Sequence, residues 1–392
     1  MVQPAVSIVR DVDLVKRVNH AVELIGGIEK FVGKGDKVLI KPNLVGCDPP
    51  ETGETVHPET IRTLTRLAKT AGASKITVGD ALLSRDLSLK KKMQNIFQGI
   101  AEKEKAEMIN FDEHPYVEVE VKDPIYFKKI KVAETLLECD VLINIPTLKT
   151  HHLAGITVAL KNLYGFLPRE DRFRYHSADK IEEIIVDLNI VRRSDLIVVD
   201  GTYSTHHRPP FDIQRMDLAL AGNDPVAVDA VAAKVMGVDL KTLRNLKWAE
   251  ERGLGTSNLS EIQIFGLSVD EAFRRKTATV IDYVHRNYDK IKLINGGACT
   301  GCFGRISTMF LWPRKYDVES LKEELYILMG PEAKLPNSKN IILCGNCLAP
   351  TFYNKLRGEF VPGCPPDLEA FKKALENFGL KENFICPHGR VA

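Results

Sequence analysis

Between Ala5 and about Leu267 the chain alternates short β-branched runs with amphipathic stretches, a pattern that restricts it to an α/β fold with a largely parallel sheet. The predicted strands are Val6 to Val9, Lys37 to Ile40, Lys75 to Val78, Val141 to Ile145, Leu196 to Val199 and Ile262 to Phe265. Apolar residues recur at helical spacing over Asp13 to Leu24, Pro58 to Ala71, Ser177 to Val191 and Pro225 to Val235, with Pro58 and Pro225 suited to a first helical turn. The expectation is a mostly parallel sheet domain with helices on both faces over residues 1–267. A smaller α/β unit follows over 268–392, opening with a helix from Val269 to Asp289 and carrying six of the eight cysteines.

At 392 residues and 44% apolar content, the chain can bury a large core. Its 54 basic and 52 acidic residues leave a formal charge of only +2, which gives no electrostatic footprint for nucleic acid or a membrane surface. No segment reaches the roughly 18 apolar residues of a membrane span. Met1-Val2-Gln3-Pro4 leads straight into a strand without a secretory leader, so a cytoplasmic location is expected, where paired cysteines bind metal more often than they form disulfides. The sequence does not fix an oligomeric state.

In parallel sheets, ligands bind beyond the carboxyl ends of the strands. Lys41-Pro42-Asn43, Asp80, the run Thr147-Leu148-Lys149-Thr150-His151-His152, and Asp200 all follow predicted strands. Lys161-Asn162 with Gly165 occupies a helix-to-loop transition, and Gly222-Asn223-Asp224-Pro225 leads into a helix carrying Asp229. Each residue alone is explicable as a cap, a turn or a surface charge; Asp224 before Pro225 reads as a cap and Asn43 after Pro42 as a turn. Together they predict a pocket for a small anionic molecule. In it Lys41, Asn43, Lys161, Asn162 and Asp200 bind the ligand, while Lys149, His151 and Asp80 are candidate catalytic groups, the last two moving protons.

Three cysteine groups follow short apolar runs near the C-terminus: Cys299-Thr300-Gly301-Cys302, Cys344-Gly345-Asn346-Cys347 and Gly363-Cys364-Pro365-Pro366. Thiolates two residues apart can share one centre, and both zinc and iron–sulfur clusters select them. The two pairs are separated by more chain than the compact loop of a zinc ribbon, and Cys364 precedes a helical pattern from Leu368 to Phe378 whose N-terminus favours an anionic group. Zinc remains the alternative metal. Cys139 reads as a small core residue, Cys47 lies in a polar loop beside the pocket, and Cys386 reads as a tail cysteine.

The cysteine segment, over roughly Ile291 to Phe378, resembles the proximal four-iron cluster module of nickel–iron hydrogenase small subunits and the related subunit of respiratory complex I. The resemblance implies one 4Fe-4S cluster on Cys299, Cys302, Cys347 and Cys364, with Cys344 as a neighbour. Those families carry an acid after the first pair, where this chain has Phe303-Gly304-Arg305. Over roughly residues 5–240, Lys-Pro-Asn, Thr-Leu-Lys-Thr-His, Lys-Asn-Leu-Tyr-Gly and Asp-Pro-Val-Ala-Val-Asp are similar to the domain-of-unknown-function family 362, whose members often bear iron–sulfur cysteines. No Gly-x-Gly-x-x-Gly or Walker loop is present.

These features predict a redox-active iron–sulfur protein that exchanges electrons with a small anionic substrate or a partner protein. The rival is a non-redox ligand-binding or maturation protein with a structural cluster or zinc site.

Overall fold

The computed structural model describes residues 3–44, 47–82, 87–177, 180–205, 213–273, 280–310, 314–348, 358–380 and 382–384. In chain order the first strands are β1 (Ala5–Arg10), β2 (Lys37–Pro42), β3 (Lys75–Asp80) and β4 (Glu107–Asn110), then β5 (Tyr116–Glu120) and β6 (Lys129–Ala133), which pair as a separate antiparallel ribbon. They are followed by β7 (Val141–Ile145), β8 (Thr147–His151), β9 (Gly155–Thr157), β10 (Leu196–Thr205), β11 (Gln214–Gly222) and β12 (Gln263–Gly266).

Leaving out the ribbon, these strands make a ten-stranded sheet in the order β12-β1-β11-β10-β7-β2-β3-β4, with β8 joined to β10 and β9 to β8. Pairing is parallel except where β11 meets β1 and β10 and where β9 meets β8.

Strands buried on both faces read as continuous apolar runs, and β2 is an example. Val38 and Ile40 pack with Val18, Val22, Ile61 and Leu64 from helices Leu14–Leu24 and Pro58–Thr70. Leu39 faces the opposite layer, with Ile184, Leu188 and Val231 from helices Ile181–Val191 and Pro225–Val235. Both expected prolines stand in first turns; Asp224 is the cap, its Oδ1 accepting from Val226 N and Ala227 N at 2.9 Å each. Burial raises the Asp224 carboxyl above the usual range, while the backbone donors of Ala227 and Val226 oppose the shift.

The C-terminal strands are β13 (Ile291–Asn295), β14 (Arg314–Tyr316), β15 (Leu325–Met329), β16 (Ile341–Cys344), β17 (Glu359–Val361) and β18 (Glu382–Phe384). A second sheet of order β13-β15-β16-β17 is parallel throughout, and β14 pairs with β18. Its core joins Ile291, Ile327 and Ile342 to Ile306 and Phe310 of helix Thr300–Phe310 and to Phe371 and Leu375 of helix Leu368–Asn377.

Several expectations change. The run Thr147–His151, expected only to follow the strand Val141–Ile145, is itself a strand, β8. The helix expected over Ser177 to Val191 runs Ile181–Val191, with an unpredicted helix Arg169–Ser177 before it, and the one expected from Val269 to Asp289 is represented by Val269–Ala272 and Val280–Asn287, with 178–179 and 274–279 outside the described residues.

The two sheets' surroundings touch through polar groups. Thr300 Oγ1 donates to Glu182 Oε1 at 2.5 Å, and Arg244 Nε lies 3.5 Å from Glu182 Oε2. Burial pushes the Glu182 carboxyl up to about 7, against the pull of Arg244 and the Thr300 hydrogen bond.

Candidate functional site

Beyond the carboxyl ends of β2, β3 and β7 lies a cavity of about 290 Å³, lined by Lys41, Asn43, Asp80, Lys149, His151, Thr157, Lys161, Asn162, Tyr164, Gly165, Arg172, Phe173 and His176, with Ala81. Seven of the eight residues expected in a pocket are in its lining. Asp200 is not. Strand β10 continues past it to Thr205, and Asp200 Oδ2 instead accepts from His57 N and Thr60 Oγ1 at 2.8 Å, anchoring the start of helix Pro58–Thr70, while Oδ1 takes Thr202 Oγ1 at 2.6 Å.

The lysines differ in how they are neutralised. Lys41 Nζ lies 2.6 Å from Asp80 Oδ1, and Asp80 also accepts from Leu44 N at 2.7 Å and Ala81 N at 2.8 Å. A carboxylate holding three donors is a clamp for Lys41 more than a mover of protons. Burial pulls the Lys41 ammonium below the ordinary lysine value, and Asp80 opposes the shift. Lys149 Nζ donates to Glu54 Oε2 at 2.9 Å and to Glu54 O at 2.8 Å. Lys161 has no carboxylate at ion-pair distance among the described residues; its Nζ stands 5.4 Å from the centre of the Tyr164 ring. Gly165 lets the clamp approach, since a Cβ there would stand 2.4 Å from Asp80 Oδ1 and 2.9 Å from Lys41 Nζ.

His151 Nδ1 faces the backbone N–H groups of Leu153 and Ala154 at 3.2 and 3.1 Å, which assigns the neutral ring the tautomer with hydrogen on Nε2. Asn162 Nδ2 bridges Lys41 O at 3.2 Å and Asn144 Oδ1 at 2.7 Å, so its amide braces two strand ends. Among the described residues three buried lining atoms lack a hydrogen-bond partner: Asn43 Oδ1, Thr157 Oγ1 and Arg172 Nε. Buried polar atoms are rarely left so, and together they mark where a ligand's own polar groups fit.

Sequence reasoning missed Thr157, Arg172, Phe173 and His176 as lining residues. Arg172 is anchored by Asp112, with both oxygens 2.8 Å from its Nη2, and His176 Nδ1 meets Tyr164 Oη at 3.0 Å. Tyr164 stood within the Lys-Asn-Leu-Tyr-Gly motif, the only one of these signals in the sequence.

A second cavity, of about 550 Å³, also has His151 in its lining. Its lining includes His152, Asp239 and Asp282, together with Asn295, Gly297, Thr300, Phe303 and Ser307 from the cysteine-bearing region. His151 therefore lines both spaces.

Cys299, Cys302, Cys344, Cys347 and Cys364 gather beyond the carboxyl ends of β13, β16 and β17. Cys302 feels the charge of Cys344, Cys299 and Cys347, and Cys347 that of Cys299 and Cys364. Cys302 lies within the first turn of helix Thr300–Phe310 rather than in a loop, its Sγ 3.7 Å from Cys344 O. The helix-start position expected for Cys364 is filled by Asp367, which caps Leu368–Asn377. Cys299 is the thiol that receives helix amides, from Gly301 and Cys302. A hydrogen bond from Cys302 holds Cys299 below the usual thiol range, helped by Arg244, whereas burial raises Cys344.

Arg305 is buried, donates through Nε to Pro366 O, and lies near enough to Cys344 to pull its thiol down. Cys344 is wholly buried, Cys347 and Cys364 are exposed, Cys47 is buried and Cys139 half-buried. Cys386 lies outside the described residues. Among the described residues no three His, Cys, Asp or Glu side chains close on a point that would hold one metal ion.

The fold is that of an α/β protein with a polar cavity at its strand ends. The chain belongs to the family described as Domain of unknown function (DUF362), which matches residues 38–234. A thylakoid-associated protein of Synechocystis sp. is 27% identical over 244 residues, covering 59% of this chain and 73% of that one. Among solved structures, the lactate racemase apoprotein from Thermoanaerobacterium thermosaccharolyticum aligns with TM-score 0.40 at 15% identity, over 60% of this chain and 58% of that one. A Thermotoga maritima protein aligns with TM-score 0.35 at 14% identity, over 61% and 57%. The chain thus spans less than three fifths of those two structures. Among the described residues no helix is long and apolar enough to cross a membrane.

Proposed function

We propose that this chain is a cytoplasmic iron–sulfur protein that binds a small anionic molecule in the Lys161 cavity and exchanges electrons with it, or through it with a partner protein. The observation that carries this reading is His151, one imidazole lining both the lysine cavity and the cleft that reaches Thr300 and Phe303 beside the cysteines. Lys161 supplies the cation for the anion, Arg172 and Asn43 orient it, and Lys41, Asp80 and Lys149 hold the cavity's shape through their own ion pairs. His151 carries the proton that accompanies charge transfer, its orientation fixed by the two backbone donors.

Cys299, Cys302, Cys347 and Cys364 are the thiols assigned to a 4Fe-4S cluster in the manner of the hydrogenase-like module. The donor set is compatible with such a group: soft sulfur ligands from three strand ends within electrostatic reach of one another, with Gly345 at φ 102° beside Cys302. When bound, the cluster supplies one-electron transfer.

Anaerobically purified protein is expected to be brown and to contain about four iron and about four sulfide per chain. Colourless protein with stoichiometric zinc would overturn the cluster. The second reading is a non-redox ligand-binding or maturation protein, favoured by how fully Asp80 satisfies Lys41 and Glu54 satisfies Lys149. Dithionite titration followed by paramagnetic resonance separates the two, because a centre silent across the accessible range supports the structural role.

A further inference from the structure

Lys161 is the cavity lysine without an acid of its own among the described residues. Lys41 is matched by Asp80, Lys149 by Glu54, and the nearby Arg172 by Asp112. It lines a small cavity beside the ring of Tyr164, and three atoms of the same lining have no hydrogen-bond partner among the described residues. An amine desolvated and set beside other cations is held ready as a nucleophile, since its uncharged form has the free electron pair.

We propose that Lys161 is a nucleophilic amine that condenses with the carbonyl carbon of a small oxo acid bound in this cavity. This rests on the reading of the cavity as an anion site and adds covalent chemistry to it. In the step, a bond forms between Lys161 Nζ and the carbonyl carbon, the carbon–oxygen bond breaks, and the oxygen leaves as water with the two protons of the neutral amine. Nothing is oxidised or reduced.

One further proton from solvent makes the iminium, which restores the single uncompensated positive charge opposite the acid's carboxylate. Arg172 Nε and Thr157 Oγ1 offer donors to that carboxylate, and Asn43 Oδ1 accepts the iminium N–H or the hydroxyl of the addition intermediate. The Tyr164 ring face steadies the cation.

Burial pushes the Lys161 ammonium down to about 7; Lys149 and Lys41 press the same way, and Glu54 opposes them. Asp80, His151, Tyr164, Arg172 and His176 are the other titratable groups lining the cavity. At neutral pH an amine with this value is neutral roughly a thousandfold more often than an ordinary lysine. Part of that advantage is offset by its weaker basicity, leaving an expected selectivity of at least about tenfold.

The test uses the full chain, purified anaerobically, with pyruvate as the probe and cyanoborohydride as the trapping reductant, followed by peptide mapping. One reduced adduct on Lys161 is expected, formed at least about tenfold faster than on exposed lysines such as Lys247, with a rate that rises as pH passes through 7. Lys161→Arg should keep pyruvate-induced thermal stabilisation while losing the adduct. Labelling that merely follows surface exposure in the wild-type map would overturn the proposal, and that map needs no variant to fold. Stabilisation by pyruvate without any adduct overturns the imine and leaves the anion site standing; neither stabilisation nor adduct removes both.

Discussion

Lys41 Nζ and Asp80 Oδ1 stand 2.6 Å apart with both side chains almost wholly shielded from water. Each charge is tolerable there only because of the other. Asp80→Asn is therefore expected to cost about 3–5 kcal/mol, the usual penalty for stranding one buried charge. The double variant Lys41→Met with Asp80→Asn should recover at least half of that loss. Urea unfolding midpoints decide it, and an Asp80→Asn protein within about 1 kcal/mol of wild type would show the pair to be dispensable.

Gly165→Ala should disturb the same pair from the other side. The added carbon would stand 2.4 Å from Asp80 Oδ1, and the chain must yield. A loss of about 1–3 kcal/mol is expected, together with loss of the melting-temperature rise that phosphate or pyruvate gives the wild type. Unchanged stabilisation by both anions would place the ligand elsewhere.

Asp229 carries a pH signature. Its carboxyl accepts from Ala159 N at 2.6 Å and Leu160 N at 3.3 Å, yet burial pushes it up to about 7. The folded state then holds a proton that the unfolded state releases near pH 4, so this residue's contribution to stability falls as pH rises from about 4 to about 7 and is level beyond. Asp229→Asn should flatten that part of the profile, gaining on the wild type by up to a few kcal/mol at pH 8 relative to pH 4. Parallel pH profiles for the two proteins would contradict the assignment.

The cysteines separate by exposure. Cys344 is wholly buried and Cys347 exposed. Cys347→Ala is expected to lower iron and sulfide content sharply, while Cys344→Ala should retain both and lose about 1 kcal/mol of stability as a small core side chain is trimmed. Metal analysis of the two variants after anaerobic preparation gives the answer, and the reverse ranking would exchange their roles.

The join between the sheets is testable through Thr300, whose hydroxyl meets Glu182 at 2.5 Å. Thr300→Val keeps the shape and removes the donor, leaving the buried carboxyl with Arg244 alone at 3.5 Å. A loss of about 1–3 kcal/mol is expected by thermal or urea unfolding, and a neutral outcome would mean that water replaces the hydroxyl.

Much of the large sheet was legible because its strands bury both faces and so read as unbroken apolar runs, as in Val38-Leu39-Ile40 and Val141 to Ile145. Of the four strands that escaped, β4, β8, β9 and β11, two did so for opposite reasons. β8, Thr147–His151, is buried throughout but polar, since its side chains line a cavity, and in sequence it looks like a loop. β11, Gln214–Gly222, is diluted by alanine, glycine and Asp217, and its antiparallel insertion between β1 and β10 leaves no local mark.

The strand-end rule gathered Lys41, Asn43, Asp80, Lys149 and His151, while Lys161 and Asn162 were read from the short segment after β9. The rule failed at Asp200 because β10 runs on for five more residues. Arg172, Phe173 and His176 stayed hidden on a helix so polar that its sequence resembles a solvated surface.

His151 belongs to the lining of both cavities. An occupant of either space changes the field that His151 feels, and so the surroundings of the other. Any effect that passes through the ring must also be mutual: the factor by which an occupant of the cysteine-side cleft changes affinity in the lysine cavity is the factor returned. For this molecule a titration of one space, run with the other empty and then filled, measures a property that belongs to neither cavity alone.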